Sequence, residues 1–438
     1  MPTERRKALM NNIKKFSNSF LGEKYYRVDH ESGLRIFVFP KERQSSCAIL
    51  ATEFGSSCNR FFAEDGEVNA LPDGIAHFME HKMFDNPDGV NVDDVFSKLG
   101  GDPNAYTCWD HTAYFYTSNS DDNFYKCLEG LISFVTSPYF TDESVEKEQG
   151  IIGQEIAMCE DDPYDRCFLG MVKGLYKNHP IRIDVVGSER SIATITPKML
   201  YDCHERFYSP SNMVLALSGV VEPERVLEIV DNLLPKKAPA KNIDQCEITE
   251  PDRAYKKRTR AKMQVERSLF CIGFKDTNAP DEPTARRKRQ IIAELLMGIV
   301  FASSNELYTS LFKRGIMTTP FNYGEEYGKT YSLCYAGGEC DDPDLLLLEI
   351  KKYIKKLIKN GIDQRDFERR KRMAIASDIR MFDSTWDIAN AMVDNAFAGV
   401  DIFDEADLVS SVTLADVEEY LGDVCKDKNI TFSTIDPQ

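Results

Sequence analysis

The 438-residue chain lacks an excess of positive charge and any long uninterrupted apolar run. Its formal net charge of -17 argues against nucleic-acid binding, because a phosphate backbone requires a basic surface. The same charge is compatible with cationic peptide substrates, although an acidic total often serves only solubility. No stretch approaches the apolar length that spans a bilayer, so we expect no membrane span.

Signals for secretion and for disulfides are also missing. Residues 1–15 contain no apolar centre of the kind that secretory signal peptides carry. The twelve cysteines include no Cys-x-x-Cys pair, and several of them, such as Cys127, Cys271 and Cys334, lie in apolar runs. We therefore expect reduced, mostly buried thiols and a cytoplasmic protein.

Histidine is scarce, and its distribution is informative. Only six histidines occur, and none follows His204, so a histidine-based metal site belongs to the first half of the chain. His77, Glu80 and His81 form an H-x-x-E-H pattern, the inverted form of the commoner zinc peptidase motif. On a helix they share one face, where two imidazoles suit Zn²⁺ and a carboxylate that is not a ligand can accept a proton from water. Chance occurrence is the alternative.

A catalytic zinc needs a third protein ligand, and it must come from the same half. The segment 145–158 offers Glu148 and Glu155, which are seven residues apart and so lie on one helical face. Glu155 stands among apolar residues, where an unpaired carboxylate is costly and a metal would be its partner. A solvated helix face is the alternative, and the spacing alone leaves both open.

The hydrophobic pattern predicts mixed α and β structure. A helix is predicted over 73–84, with Asp73 as its N-cap, and further helices over 92–99, 123–137 and 142–158. Alternating or continuous apolar residues predict strands, and these lie at 34–39, 47–51, 114–117, 213–221 and 268–274.

The chain divides into two similar halves. The segment 140–147 resembles 362–369, and each follows one predicted helix and opens another. The polar, proline-bearing stretch 237–262 predicts a linker. We therefore expect an N-terminal zinc-binding domain (1–236) and a homologous C-terminal domain (263–438) without a metal site.

The chain resembles the insulinase/pitrilysin family of zinc peptidases over nearly its whole length. The residues that carry the resemblance lie at 74–84, 100–107, 111–114, 145–155, 179–180, 187–189 and 207–213. Within the family it most resembles short bacterial members of processing-peptidase type, particularly one half of a paired-subunit subgroup. The resemblance implies an α+β fold of two similar domains, each a mostly antiparallel sheet with helices packed on one face.

The resemblance also implies roles for individual residues. These are His77, His81 and Glu155 as Zn²⁺ ligands, Glu80 as the general base, and Glu148 as a residue that orients a ligand. Asn104 and Ala105 match the segment beside which substrates bind as an added strand at a sheet edge. Asn104 could instead be a turn residue after Pro103.

One feature departs from the family pattern. Members that are active alone usually carry an arginine and a tyrosine seven residues apart in the second half. Here Phe321 follows Arg314 by seven residues, and the nearest tyrosine, Tyr323, is displaced by two. The pair is therefore predicted to be absent or displaced, which leaves the zinc half intact and the other half incomplete.

The expected function is a zinc-dependent endopeptidase that cleaves unfolded peptides or short polypeptides. The resemblance implies that substrates bind inside a closed chamber. We expect a homo- or heterodimer with a related subunit, which completes this chamber and supplies the missing arginine and tyrosine. The main alternative is a catalytically silent scaffold or peptide-binding subunit of a paired complex. A zinc hydrolase for a non-peptide substrate is a third candidate.

Overall fold

Two β-sheets of related topology organise the computed structural model, which describes residues 13–62, 68–87, 89, 92–235, 246 and 248–438. The first sheet has seven strands in the order β1-β2-β3-β9-β4-β8-β7. They are β1 (Lys14–Asn18), β2 (Glu23–Asp29), β3 (Arg35–Pro40), β4 (Ser46–Thr52), β7 (Gly101–Thr107), β8 (Thr112–Ser118) and β9 (Met213–Gly219), while β5 (Arg60–Phe62) and β6 (Val68–Ala70) pair separately. All first-sheet pairs are antiparallel except β3 with β9.

Eight helices accompany the first sheet in the described part of the chain. They are α1 (Ile75–Lys82), α2 (Val92–Lys98), α3 (Asp121–Thr136), α4 (Asp142–Asp161), α5 (Pro163–Leu175), α6 (Glu189–Ile192), α7 (Pro197–Phe207) and α8 (Pro223–Leu233). Short polar side chains cap most of them. At the start of α4, Thr141 and Ser144 form a reciprocal capping box, which satisfies backbone N–H groups that have no partner within the helix.

The second sheet has five strands in the order β10-β14-β11-β13-β12. They are β10 (Arg258–Met263), β11 (Ser268–Lys275), β12 (Asn322–Tyr327), β13 (Ser332–Cys340) and β14 (Ile430–Pro437). The helices of this half are α9 (Pro283–Phe301), α10 (Glu306–Lys313), α11 (Pro343–Asn360), α12 (Gln364–Met381), α13 (Thr385–Ala398), α14 (Glu405–Ser411) and α15 (Leu414–Val424).

The two halves share one topology, as predicted. The order β3-β9-β4-β8-β7 corresponds strand by strand to β10-β14-β11-β13-β12, and each set contains one parallel pair in the corresponding place. The similar segments 140–147 and 362–369 lie at equivalent positions, where α3 gives way to α4 and α11 to α12.

One helix of each half also packs on the sheet of the other half. α13 packs on β4 and β9 of the first sheet, where Ile388 and Met392 join a core with Ile49 and Ala216. α5 packs on β11 and β14 of the second sheet so closely that a Cβ at Gly273 would lie 2.3 Å from the Met171 sulfur. The core that each half forms from its own sheet and helices lies on one face of that sheet, as the resemblance implied, and the helix of the other half covers the opposite face.

The predicted linker only partly coincides with irregular structure. Residues 237–245 and 247 of it lie outside the described residues, while residues 258–262 belong to β10. β10 is an edge strand with charged, exposed residues, so it carried no hydrophobic signal. The domain boundaries themselves stay a prediction.

The expectation about apolar runs needs one correction. By length and composition alone, the segment Pro283–Lys313, which contains α9 and α10, could span a membrane. About two thirds of its most apolar window (67%) is buried in the second half. Ile291, Leu295 and Ile299 of α9 belong to the core between the second sheet and its helices, which accounts for the apolar composition.

The expectation of buried cysteines holds. The twelve cysteines, all within the described residues, form no disulfide, and eight of them are buried.

Candidate active site

A glycine sets the start of α1. Gly74 is the N-cap with φ of +87°, and a Cβ there would lie 2.6 Å from the Val186 carbonyl oxygen. This close approach in a left-handed conformation explains the glycine. Asp73 is therefore not the cap that the sequence predicted, and its carboxylate instead accepts a hydrogen bond from the Asn59 side chain at 2.7 Å.

α1 and α4 together form a cluster of possible metal ligands. The Nε2 atom of His77 lies 3.5 Å from one oxygen of Glu155, and the Nε2 atom of His81 lies 3.7 Å from the other. The ligand atoms of the three residues all lie within 4.8 Å of one another, and no other such cluster occurs among the described residues. The spacing of residues along a helix could not predict that α1 and α4 lie side by side. The tertiary structure shows that they do.

The donor set fits zinc. Two imidazole nitrogens and one carboxylate oxygen are common ligands of a catalytic Zn²⁺, which keeps a further position open for water. The Glu155 side chain is 37% exposed, so the cluster is accessible from one side. The hydrogen bond with His77 lowers the pKa of Glu155 against the effect of burial, which keeps the carboxylate ionised.

Glu148 orients His81 from behind. Its carboxylate lies 3.0 Å from His81 Nδ1, which directs Nε2 of the same ring toward Glu155. This hydrogen bond raises the pKa of His81 despite burial, so the ring is a stronger base and a better ligand. Burial raises the pKa of Glu148, but His81 and the nearby Lys82 outweigh it and lower that pKa overall.

Glu80 lies beside the cluster without belonging to it. Its side chain is buried, and its Oε2 accepts a hydrogen bond of 2.5 Å from the Thr107 hydroxyl. A buried carboxylate beside two imidazoles, with no lysine or arginine partner among the described residues, is suited to accept a proton.

Asn104 and Ala105 lie on an edge strand. Both belong to β7, which pairs only with β8 in the described part of the chain. Asn104 stands opposite Phe115 in this ladder, so it is not the turn residue that was one alternative. The free edge of β7 is able to accept a further strand.

Comparisons with known proteins identify relatives of this chain. Residues 64–188 match the sequence profile of insulinase (peptidase family M16), and residues 194–374 match that of the peptidase M16 inactive domain. The chain is 35% identical over 434 residues to a Bacillus subtilis protein named as an uncharacterized zinc protease, YmfH. This match covers 97% of the chain and 100% of its relative. The chain belongs to peptidase family M16.

Solved structures of M16 proteins have the same fold. A crystal structure from Alicyclobacillus acidocaldarius described as an M16-like peptidase has a TM-score of 0.89 at 27% identity, covering 97% of this chain and 99% of the other. Pitrilysin has a TM-score of 0.74 at 17% identity, covering 95% of this chain but 45% of the pitrilysin chain.

The residues at the positions of the missing arginine–tyrosine pair make other contacts in this M16 chain. The Arg314 guanidinium forms an ion pair of 2.9 Å with Glu349, and Phe321 is buried in the core of the second half. Tyr323 lies on β12 and packs against the same core.

A cavity of about 800 Å³ lies between the two halves of this M16 chain, and sequence reasoning missed it. Thr107, which contacts Glu80, is part of its wall. Two of its basic residues are already paired, Arg287 with Glu405 and Lys329 with Glu53. Six lining carboxylates have no lysine or arginine partner among the described residues; they are Asp110, Asp165, Asp184, Glu326, Asp378 and Asp394.

Burial, together with repulsion from neighbouring carboxylates, raises the pKa of several of these carboxyl groups. Burial raises the pKa of Asp110 to about 6, and those of Glu326 and Asp378 to about 7. For Glu326, the charges of Asp110 and Asp394 add to the effect of burial. The sequence could not predict that these carboxylates lie together, because they come from both halves of the chain.

We expect Glu148→Gln to weaken Zn²⁺ affinity about 10- to 100-fold, because an amide no longer increases the basicity of His81. Competition with a chromogenic chelator measures the affinity. Glu146→Gln, an exposed residue on the same helix, is the control. Equal affinities for the two variants would contradict the assigned role of Glu148.

We expect Glu326→Gln to stabilise the chain increasingly, relative to wild type, as the pH rises from about 5 to about 7.5. A carboxyl with a raised pKa stabilises the folded state below its unfolded pKa, and this contribution is lost as the pH rises through about 7. Since glutamine cannot ionise, the difference in melting temperature between variant and wild type should widen over this range.

The difference in melting temperature between Glu326→Gln and wild type cancels the contributions of the other titratable groups. Burial lowers the pKa of His111 and of His179 to about 4, and both oppose the carboxyl effect below pH 6.5. Glu146→Gln is again the control. A melting-temperature difference that stays constant with pH would contradict the perturbed state of Glu326.

Proposed function

We propose that this chain is a zinc-dependent endopeptidase that cleaves unfolded peptides or short polypeptides. The convergence of His77, His81 and Glu155 next to Glu80 is the observation that carries the proposal. Two histidines on one helix are not specific to a metal site, but here the His81 ring also donates a hydrogen bond to Glu148. Membership of family M16 and a relative named as a zinc protease support it.

In this mechanism His77, His81 and Glu155 hold Zn²⁺, with Glu148 fixing the His81 ring. The metal, when bound, polarises the scissile carbonyl and acidifies water. Glu80 removes a proton from the attacking water and delivers it to the leaving amine. The peptide lies along the free edge of β7, where Asn104 and Ala105 hold its backbone.

We further propose that a related second subunit completes the chamber, as a homo- or heterodimer. The accessible side of the metal cluster, the absence of a tyrosine seven residues after Arg314, and the match to 45% of the pitrilysin chain support this. A heteromeric partner that supplies the missing pair is the sharper form. A homodimer of this chain with full peptidase activity would exclude that form.

A catalytically silent scaffold remains the second candidate, because residues 194–374 match an inactive-domain profile. That match contains none of the ligand residues, whereas the ligand set and Glu80 are intact within residues 64–188, which match the insulinase profile. Zinc content separates the two candidates, since a scaffold does not need the metal. A cytoplasmic location stays a prediction, which fractionation of the source cells would test.

We expect the purified, zinc-loaded chain to cleave a mixed fluorogenic peptide library, and Glu80→Gln to reduce kcat at least about 1,000-fold with its zinc retained, because the proton acceptor is lost. Release of fluorescence and metal analysis give the two measurements. Equal activity of Glu80→Gln and wild type would contradict the mechanism. No cleavage by the zinc-bound wild type would direct the search to the partner subunit.

Peptides with basic side chains should be the better substrates, because the carboxylates of the cavity beside Thr107 lack basic partners. We expect KM for an arginine-containing peptide to be about 5- to 10-fold lower than for its citrulline analogue at low ionic strength, and the difference to disappear near 0.5 M salt. Initial rates over a salt series measure this. Equal KM values at low salt would show that the cavity does not contribute to recognition.

A further inference from the structure

The two oxygens of the Glu80 carboxylate have different surroundings. Oε2 accepts the 2.5 Å hydrogen bond from the Thr107 hydroxyl, while none of the described residues donates to Oε1. The side chain is only 9% exposed, so water reaches it from a limited direction. One oxygen is therefore held by the protein, and the other is available to a water molecule.

A second threonine determines where Thr107 donates. Thr107 and Thr112 are paired directly across β7 and β8, and their hydroxyl oxygens lie 3.2 Å apart. Thr112 is fully buried and donates its one proton to the Phe54 carbonyl oxygen at 2.8 Å. It therefore has no proton left for Thr107. The proton of Thr107 goes to Glu80, because a carboxylate is a stronger acceptor than a hydroxyl.

We propose that Thr107 is a positioning residue for Glu80, which holds Oε2 so that Oε1 faces the attacking water. This inference rests on the proposed peptidase function. During a turnover, one proton moves from water to Oε1 and then to the amine nitrogen of the leaving group. Thr107 donates to Oε2 throughout and neither gains nor loses a proton.

The physical need for such a residue lies in the side chain of glutamate. The terminal torsion of a glutamate is broad, so an unheld carboxylate samples many orientations. A general base must keep one oxygen within hydrogen-bond reach of the proton that it removes. Since Thr107 is the last residue of β7, the strand that accepts the peptide backbone would also orient the base.

The test compares Thr107→Ser with Thr107→Ala. Both variants lose the methyl group, and only the serine keeps the hydroxyl. We expect the serine variant to keep kcat within about 3-fold of wild type and the alanine variant to lose about 10- to 100-fold, with KM nearly unchanged in both. Thr117→Val, on the same hairpin, is the control for removing a hydroxyl, and we expect it to leave kcat unchanged.

A second measurement does not depend on activity. Crystal structures of the zinc-loaded Ser and Ala variants should show the Glu80 carboxylate in the wild-type orientation only when residue 107 carries a hydroxyl. Zinc content should be equal in both. Equal kcat values for the two variants, or an unchanged Glu80 in the alanine variant, would overturn the proposal. If the wild-type chain alone cleaves no peptide, the search for activity moves to the partner subunit, and the crystallographic comparison alone decides the role of Thr107.

Discussion

The contact between α1 and α4 is the constraint on which the rest of the site depends. α1 supplies both histidines and Glu80, and α4 supplies both other carboxylates, so the ligands converge only if the two helices stay in register. Lys82, 1% exposed, fixes this register, because its ammonium group contacts Asp85, the Ser144 carbonyl oxygen and Glu148. A buried charge persists only with such partners, and these partners lie on both sides of the helix contact.

The exchange of helices between the halves holds the two sheets together. α13 and α5 each cover the sheet of the opposite half, so the two sheets cannot separate without exposing two apolar cores. Hydrogen bonds cross the same boundary, from Tyr331 to Asp110 and from Tyr106 to Asn390. The acidic cavity lies at this boundary, where its carboxylates and Thr107 line the same wall.

Sequence reasoning succeeded where the signal was local. The H-x-x-E-H spacing placed His77, Glu80 and His81 on one helix, and the spacing of Glu148 and Glu155 placed both on one face of α4. It failed where the deciding partner was distant in the chain. Asp73 was chosen as a cap because its side chain suits that role, but the close approach of Val186 requires Gly74 there. The local sequence of α13 does not indicate that this helix packs on the first sheet. The charged sequence of β10 likewise does not indicate that this strand pairs in the second sheet.

The sequence by itself determined which chemical groups the molecule has and how they are spaced along single helices, because helical geometry converts a spacing of three, four or seven residues into a shared face. It also determined that a histidine-based metal site must lie in the first half, since no histidine follows His204. The tertiary structure alone decided that α4 faces α1, that Thr107 meets Glu80 and that carboxylates from both halves share one cavity. These contacts join residues that are far apart in the chain, and their geometry follows from packing, which local pattern does not encode.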